Sequence, residues 1–476
     1  MKAIGKDFGD VARKTYAVAS GALGNGKAVI VNADGTVSVI SGGALGAQAT
    51  LDSVLWEIPV STFDSNSNRF VYFYLRSNQA YAVVGKMVGT TMSFGTPINV
   101  NSSGNMDYPA IAFDSNANKV LMAFRDKGDS NRGTCVVGTV DDMTMTLGTE
   151  AKFNASGHVA VYMALSFDSN ANKFVLCFRD NNNSNYATAR VCTISGTDVT
   201  FGTAVVFASS GTFEGSVFNE FNSSNNKSII GWLDYANSHK AIVATISGTD
   251  VTFGTAVEYF SGSASYATMV FDASAGKCVV FYTNWTANPD VGNAAVATIS
   301  GTDLSFATAT EWTTPDGGIF DAAYNTDTGR TAIVYQAPSN NYAQVITGTV
   351  SGTSMSFGSP FLINSAVGNT FRVEYDTNTD RFGVGFGISG STVGISFPDE
   401  VLNLTSENFI GITPSAYPDG AGAEIQTKGA INEQQSGLTA GQSYFVQTDG
   451  TLSTTAGDPS VFAGTAVSAT KIIVKG

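Results

Sequence analysis

Charge is scarce in this sequence: only 13% of its 476 residues are Asp, Glu, Lys or Arg, and their formal balance is −14. No block rich in Lys and Arg occurs, so the chain offers no electrostatic footprint for a phosphate backbone or an anionic membrane surface, and nucleic acid is excluded as an expected partner. No apolar run reaches the roughly 18 residues that a membrane-spanning helix needs, so no membrane insertion is expected. The first residues also lack the apolar h-region of a secretory signal, which leads us to expect synthesis and folding in a cytoplasm. Histidine is limited to His158 and His239, too few and too far apart for a local Ser/His/Asp grouping. Four cysteines, Cys135, Cys177, Cys192 and Cys278, sit in strand-like runs and are expected as free thiols. Cys177 and Cys192 flank the loop near Ser184 symmetrically, which would let them face each other on neighbouring strands.

What is present is apolar, small and turn-forming: 43% hydrophobic residues, 11% aromatic ones, 51 glycines and abundant Ser, Thr and Asn. Helix formers are sparse, and the balance suits an all-β protein with a neutral polar surface. One phrase recurs seven times: an aromatic residue, Asp or Asn, four variable residues, then Lys or Arg. Its copies begin at Phe63, Phe113, Phe167, Phe221, Phe271, Tyr324 and Tyr375, spaced 50, 54, 54, 50, 53 and 51 residues apart. Near-regular spacing of this kind marks a repeat architecture. Between copies come a β-rich run such as KFVLCFRD, a polar loop, a second run ending TISG and a third centred on VTFGTAV, so each unit predicts about four short strands.

Arithmetic on the repeat predicts how the array ends. Six units finish in an FGT-like strand, whereas the seventh runs through RFGVGFGISGSTVGISF and stops at Pro398 without one. The missing strand has a counterpart at the other end, because Leu45 of Ala44-Leu45-Gly46-Ala47 precedes Phe63 by 18 residues, within the 18 to 20 that separate the later FGT strands from their next repeats. The fold class expected is therefore all-β, a seven-bladed β-propeller inserted between N- and C-terminal segments that form a small β-rich base. The predicted boundaries are 1–37 for the first part of the base, 38–397 for the propeller, with residues near 42–51 closing blade seven, and 398–476 for the rest of the base. The hairpin around Asn32-Ala33-Asp34-Gly35 is echoed by VQTDGTL near Gly450, which joins the two terminal pieces in wording.

With strands labelled a to d outward from the axis, a–b and c–d turns share one face and b–c and d–a connections the other. The a–b and c–d turns recur almost unchanged, while the b–c loops differ from one another, as in RDKGDSNRGT, RDNNNSNYAT, LDYANSHKAI and TNWTANPDVGNA. Rigid scaffolds place function on variable loops, so ligand binding is expected on the b–c and d–a face. The candidate ligand-binding residues are Tyr186, Tyr235, Trp285 and Tyr342, whose rings suit stacking on sugar faces, together with Arg125 and Arg179 at the ends of their b strands. Each ring would equally serve as a structural cap on its blade.

Chemistry beyond binding finds little material. The Asp114, Asn116, Asn118 alternation resembles the first half of a calcium loop but lacks the closing Glu, and it equally suits an Asx-type hairpin turn. No metal, cofactor or catalytic residue is expected. Asp126, Asp180 and Asp234 recur at equivalent strand ends, where bonding the following loop explains them. Arg125 and Arg179 would suit carboxylated sugars, as in sialidase-like propellers, whose Asp-box motif is absent here.

The ending SGLTAGQSYFVQTDGTLSTTAGDPSVFAGTAVSATKIIVKG, preceded by SENFIGITPSAYPDGAGAEIQTKGAI, resembles the terminal module of structural proteins of marine tailed bacteriophages, which often carry such propeller repeats ahead of it. The order of hairpin, FIGI, a short V/I strand and AGT-A is also similar to small phage head-decoration proteins. The resemblance implies a virion structural protein rather than an enzyme, attached to other capsid or tail proteins. Two roles stay open: a tail-fibre adhesin contacting a host-surface glycan or receptor, and a decoration protein coating the head. No coiled-coil heptads occur to signal a fibre-type trimer, so assembly as a homo-oligomer is an implication of the resemblance alone.

Overall fold

The computed structural model describes residues 13–475 except 33, 41–42, 102–103, 210–212, 235–236, 288–289, 314–318, 338–339, 400–403, 448–449 and 458. It is an all-β propeller protein, and the described residues hold a single 3-10 turn, Lys127–Asp129. The chain divides into two units, Leu45–Asp399 and a second made of Met1–Ala44 with Glu400–Gly476.

In the first unit, the described residues form seven antiparallel sheets of strand order a–b–c–d. The a strands are Glu57–Asp64, Met106–Asp114, Ala160–Asp168, Phe213–Asn222, Ala264–Asp272, Phe320–Asn325 and Asn369–Asp376. Each packs against the next, and the last packs against the first, so the array closes. Alternate positions on strands b and c fill the space between sheets with Phe, Val, Ile and Ala, and these runs are almost wholly buried.

The repeated phrase is a hairpin held by its own side chains. The buried Asp168 accepts from the amides of Asn170 and Ala171, at 2.9 and 2.8 Å, and Asp114 does the same for Asn116 and Ala117. Asp64, Asn222, Asp272, Asn325 and Asp376 repeat the Asx turn. The residue before the closing Lys or Arg is left-handed in every copy: Asn68, Asn118, Asn172, Asn226, Gly276, Gly329 and Asp380. Only residue types that tolerate positive φ occupy it.

The third run of each unit differs from expectation: strand d is two segments rather than one. In the third sheet Asp198–Phe201 and Val205–Ala208 both pair with Tyr186–Ser195, and the ladder breaks at Gly202. At four of these breaks the next sheet leaves no room for a side chain. A Cβ on Gly202 would overlap the carbonyl oxygen of Thr249 in the following sheet, and Gly95, Gly148 and Gly254 stand in the same relation to Met143, Thr197 and Thr302. Strand d therefore presses backbone to backbone on its neighbour.

Closure uses the same device. Ala49–Asp52 pairs with Ser391–Phe397, Gly46 donates to the Ser396 carbonyl at 2.8 Å, and a Cβ on Gly46 would overlap the Thr90 carbonyl of the first sheet. Gly46 to Asp52 thus supplies the outer strand that the seventh sheet lacks; residue 42 lies outside the described residues.

The cysteines are all buried and free. Cys177 and Cys192 do not face each other as their spacing suggested, because the register sets Cys177 opposite Ala189 and Cys192 opposite Phe174. Cys192 instead shares a buried core with Cys135 of the preceding sheet.

In the second unit, strands from both chain ends share one sheet, in the order Lys14–Val18, Gly422–Gln426, Phe409–Ile412, Ala28–Val31, Val37–Val39. Ile30 and Ile40 pack into one core with Phe409, Tyr444, Val461 and Ile472. The two echoing hairpins share a bonding pattern: Gly35 donates to the Asn32 carbonyl and Gly450 to that of Gln447, each at 2.9 Å. Residues 33 and 448–449 within them lie outside the described residues.

Gly202→Ala is expected to destabilise the protein by about 1–3 kcal/mol, the usual cost of overpacking. Gly358 serves as the control, since the nearest atoms to its added Cβ belong to Thr347 of its own sheet at 3.8 Å. Urea unfolding checks this: the midpoint falls for Gly202→Ala and stays within error for Gly358→Ala.

Candidate functional site at the channel mouth

The a strands surround an axial channel with a volume of about 680 Å³. Near its start, strand a carries a bulge that recurs from sheet to sheet. The ladder slips between Asp107 and Ala110, Val161 and Ala164, and Ser265 and Ala267, and the residue inside each slip, Tyr108, Tyr162 or Tyr266, has φ of 52, 52 or 43°. Ile58 and Thr370 hold the same conformation at φ 40 and 50°. Bulky or β-branched side chains in the left-handed region cost on the order of 1–3 kcal/mol each, and such strain persists where it re-aims side chains for use.

Here it turns tyrosines onto the rim. The Tyr108 and Tyr162 rings meet at 4.7 Å between centroids, and Tyr266, 45% exposed, stands on the same rim. The guanidinium of Arg125 lies over the Tyr108 ring at 4.8 Å and that of Arg179 over the Tyr162 ring at 4.9 Å. Asp107 holds Arg125 in an ion pair and also takes Lys127, at 2.7 Å, while Asn181 accepts from Arg179 Nε at 2.9 Å. The result is a stacking surface backed by two cations that local partners hold in place.

The candidates read from sequence separate into two groups. Arg125 and Arg179 come together at the tyrosine pair. Tyr186 and Tyr342 head the c strands of the third and sixth sheets, half-buried, with their amides tied to Asn183 and Asn340. Trp285, 47% exposed, projects from a loop of the fifth sheet. These three rings stand on different sheets and form no single cluster; Tyr235 lies outside the described residues.

Deeper in the channel stands a polar group that neither motif nor composition flagged. Glu220 and Glu374, each immediately before a repeat aromatic, touch the channel and are otherwise enclosed by protein; burial, then their mutual repulsion for Glu220, pushes each up to about 8. Ser61 Oγ donates to Glu374 at 2.7 Å, and the Val373 amide donates to Asp321 at 3.0 Å. Burial also raises Asp321, although Arg372 opposes the shift. Arg372 itself donates from Nε to the Pro59 carbonyl at 2.6 Å.

The histidines are engaged locally. His239 is buried, accepts the Asp234 amide at 3.0 Å and stacks on Phe260. His158 Nδ1 lies 3.4 Å from Asp180. Asp126 and Asp180 bond the amides that follow them, as expected of loop-tying residues.

No protein-family profile matches the chain, and no curated protein matches it. Among solved structures, the chain is similar to the Dos1 propeller, at 12% identity over 78% of this chain and 81% of that one, with a TM-score of 0.44. It is similar also to the NanB sialidase of Streptococcus pneumoniae, at 12% identity over 74% of this chain and 70% of that one, with a TM-score of 0.41. A mutant of that sialidase aligns at 11% identity and a TM-score of 0.43, over 72% of this chain and 68% of that one. The closed array of seven sheets defines the class as an all-β propeller, and sialidases among the similar structures do not make it an enzyme.

The raised carboxyls carry a pH signature. In the unfolded chain Glu220 and Glu374 ionise near the ordinary 4.5, but in the folded chain only near 8. Their contribution is therefore fully present below about 4.5 and lost as pH climbs through about 8. The melting temperature is expected to fall across that window and to fall less in Glu374→Gln, which keeps the neutral shape. Identical pH profiles for the two proteins would contradict this placement of Glu374.

Proposed function

We propose that the protein is a structural component of a tailed-phage particle, a seven-bladed propeller attached through its terminal base and displayed outward to bind a host-surface glycan. The observation that carries the binding part is the Tyr108–Tyr162 pair backed by Arg125 and Arg179 at an open channel mouth. Aromatic faces stack on the apolar faces of sugars, and cations above them serve hydroxyls or anionic groups. The left-handed bulge, shared with Ile58 and Thr370, brings the Tyr108 and Tyr162 rings together, and that pairing supports recognition.

Binding is favoured over catalysis because the histidines are spent in local bonds. Attachment through the base is supported by the resemblance of residues 406–476 to phage terminal modules and by the sheet that interleaves both chain ends. The role on a tail is the one we advance; antibody labelling of particles that decorates heads instead would replace it with capsid decoration.

Two outcomes test the reading. Tyr108→Ala with Tyr162→Ala is expected to weaken glycan binding by about tenfold or more, as loss of a central aromatic anchor does, while Tyr342→Ala leaves it unchanged. Glycan-array binding followed by titration of the hits checks this, and undiminished binding in the double variant would remove the tyrosine mouth from the account. Deleting residues 406–476 is expected to yield particles that lack the protein, measured by mass spectrometry of purified virions.

A further inference from the structure

Away from the channel, loops of the fourth and fifth sheets meet, and one buried side chain ties them. His239 lies near the start of strand c of the fourth sheet, Ser238–Ser247, and is 2% exposed. Its Nδ1 accepts the amide of Asp234, the last residue of strand b, at 3.0 Å. Its Nε2 lies 2.8 Å from the Gly262 carbonyl, in the connection that follows strand d. An amide can only donate and a carbonyl can only accept, so these two bonds fix one form of the ring, neutral and carrying its hydrogen on Nε2. Phe260 covers the imidazole in a parallel stack, 5.8 Å between centroids and 9° between planes.

The tie extends into the fifth sheet through Gly262 and Ser263. The Gly262 amide donates to the Asn237 carbonyl at 2.8 Å, which fastens it again to the loop after strand b. The Ser263 amide donates to Thr286 Oγ1 at 2.8 Å, and its carbonyl accepts the Trp285 amide at 2.9 Å. A Cβ on Gly262 would meet that same Thr286 Oγ1 at 2.5 Å, so the two loops touch as well as bond. Backbone hydrogen bonds thus connect the buried imidazole to Trp285, whose ring is exposed on the face of variable loops.

We propose that His239 is a pH-sensitive clasp: in its neutral form it holds the loops of the fourth and fifth sheets together, and on gaining a proton it releases them. The clasp acts on the loop face and does not depend on what the tyrosine mouth binds. The added proton lands on Nδ1, where it faces the Asp234 N–H, so an acceptor becomes a second donor and the bond is lost. A charged imidazole enclosed by Phe260 and Tyr259 is poorly solvated, and it regains water only by leaving the gap, which breaks the Gly262 bond as well. Burial holds the ionisation of His239 below the ordinary 6.5, against the Gly262 carbonyl, Asp234 on strand b and Glu258 on strand d, which favour the charged ring. Glu258 is already engaged by the Ser238 hydroxyl. Tyr259 beside the ring and Tyr282 of the fifth sheet, packed on Phe260, stay neutral hydroxyls because burial raises both. The clasp's contribution is therefore fully present above about 6.5 and is lost as pH falls through the folded value.

The test is hydrogen exchange of the full chain, read by mass spectrometry from about pH 7.5 down to about pH 4.5 and corrected for the intrinsic exchange rate. Protection of peptides covering Gly262, Ser263 and Trp285 is expected to fall at least tenfold over the titration. The midpoint of that fall is expected to coincide with the midpoint of the His239 ring signal in proton NMR, which is simple to assign because His158 is the only other histidine. This comparison is made on the unaltered protein and needs no variant. In His239→Gln, whose side chain donates and accepts but does not titrate, protection of the same peptides is expected to stay constant with pH. Protection that is unchanged by pH in the unaltered protein, that falls with a midpoint apart from that of His239, or that falls equally in the Gln variant would overturn the clasp.

Discussion

At five of its seven junctions the propeller unit depends on one close approach, the backbone of the outer strand pressed against the carbonyl of a turn in the next sheet. Gly95, Gly148, Gly202 and Gly254 each occupy a place where even a methyl group would collide. Side chains fill the broad faces between sheets, but this contact sets how near the outer edges come, and so the angle at which successive sheets fan round the axis. Gly46 makes the same contact across the closure, between Ser396 and Thr90. The ring is therefore joined at its seam by the device that joins it elsewhere, and closure leaves no a strand without neighbours on both sides.

A closed ring has a consequence for chemistry. Its a strands cannot spread, so whatever they point inward stays there, enclosed on all sides except along the axis. This is why Glu220 and Glu374, touching solvent only through the channel, titrate near 8 rather than near 4.5. The same confinement holds the bulged tyrosines at the rim of the channel.

Much of this architecture was legible in the chain. The repeat aromatic, the Asx residue and the Asn or Gly before the closing cation are local turn chemistry, and local chemistry is what a single sequence displays best. The vacancy after Phe397 and its filling from Leu45 onward followed from counting offsets, since a strand is conserved in phase even when its partner lies far along the chain. The split of strand d was not legible, because the FGT wording looks like one strand until the neighbouring carbonyl is in view. Nor were the channel residues. Tyr108, Tyr162 and Tyr266 recur five positions before the repeat aromatic, a signal present in the sequence but meaningless without the bulge that turns them. Glu220 and Glu374 occupy the position where other repeats have Thr62, Ala112, Ser166, Val270 and Ala323, so comparison between repeats, rather than reading along one, would have singled them out. Sequence reasoning favoured exposed loop rings instead, and Tyr186, Trp285 and Tyr342 belong to three separate sheets.

The central claim is that recognition happens on the axis rather than on the outer loops. A crystal structure of the protein soaked with a bound oligosaccharide tests it most directly. The expected result is sugar density lying on the Tyr108 and Tyr162 rings at the channel mouth. Density confined to the loop around Trp285, with only water along the axis, would contradict it.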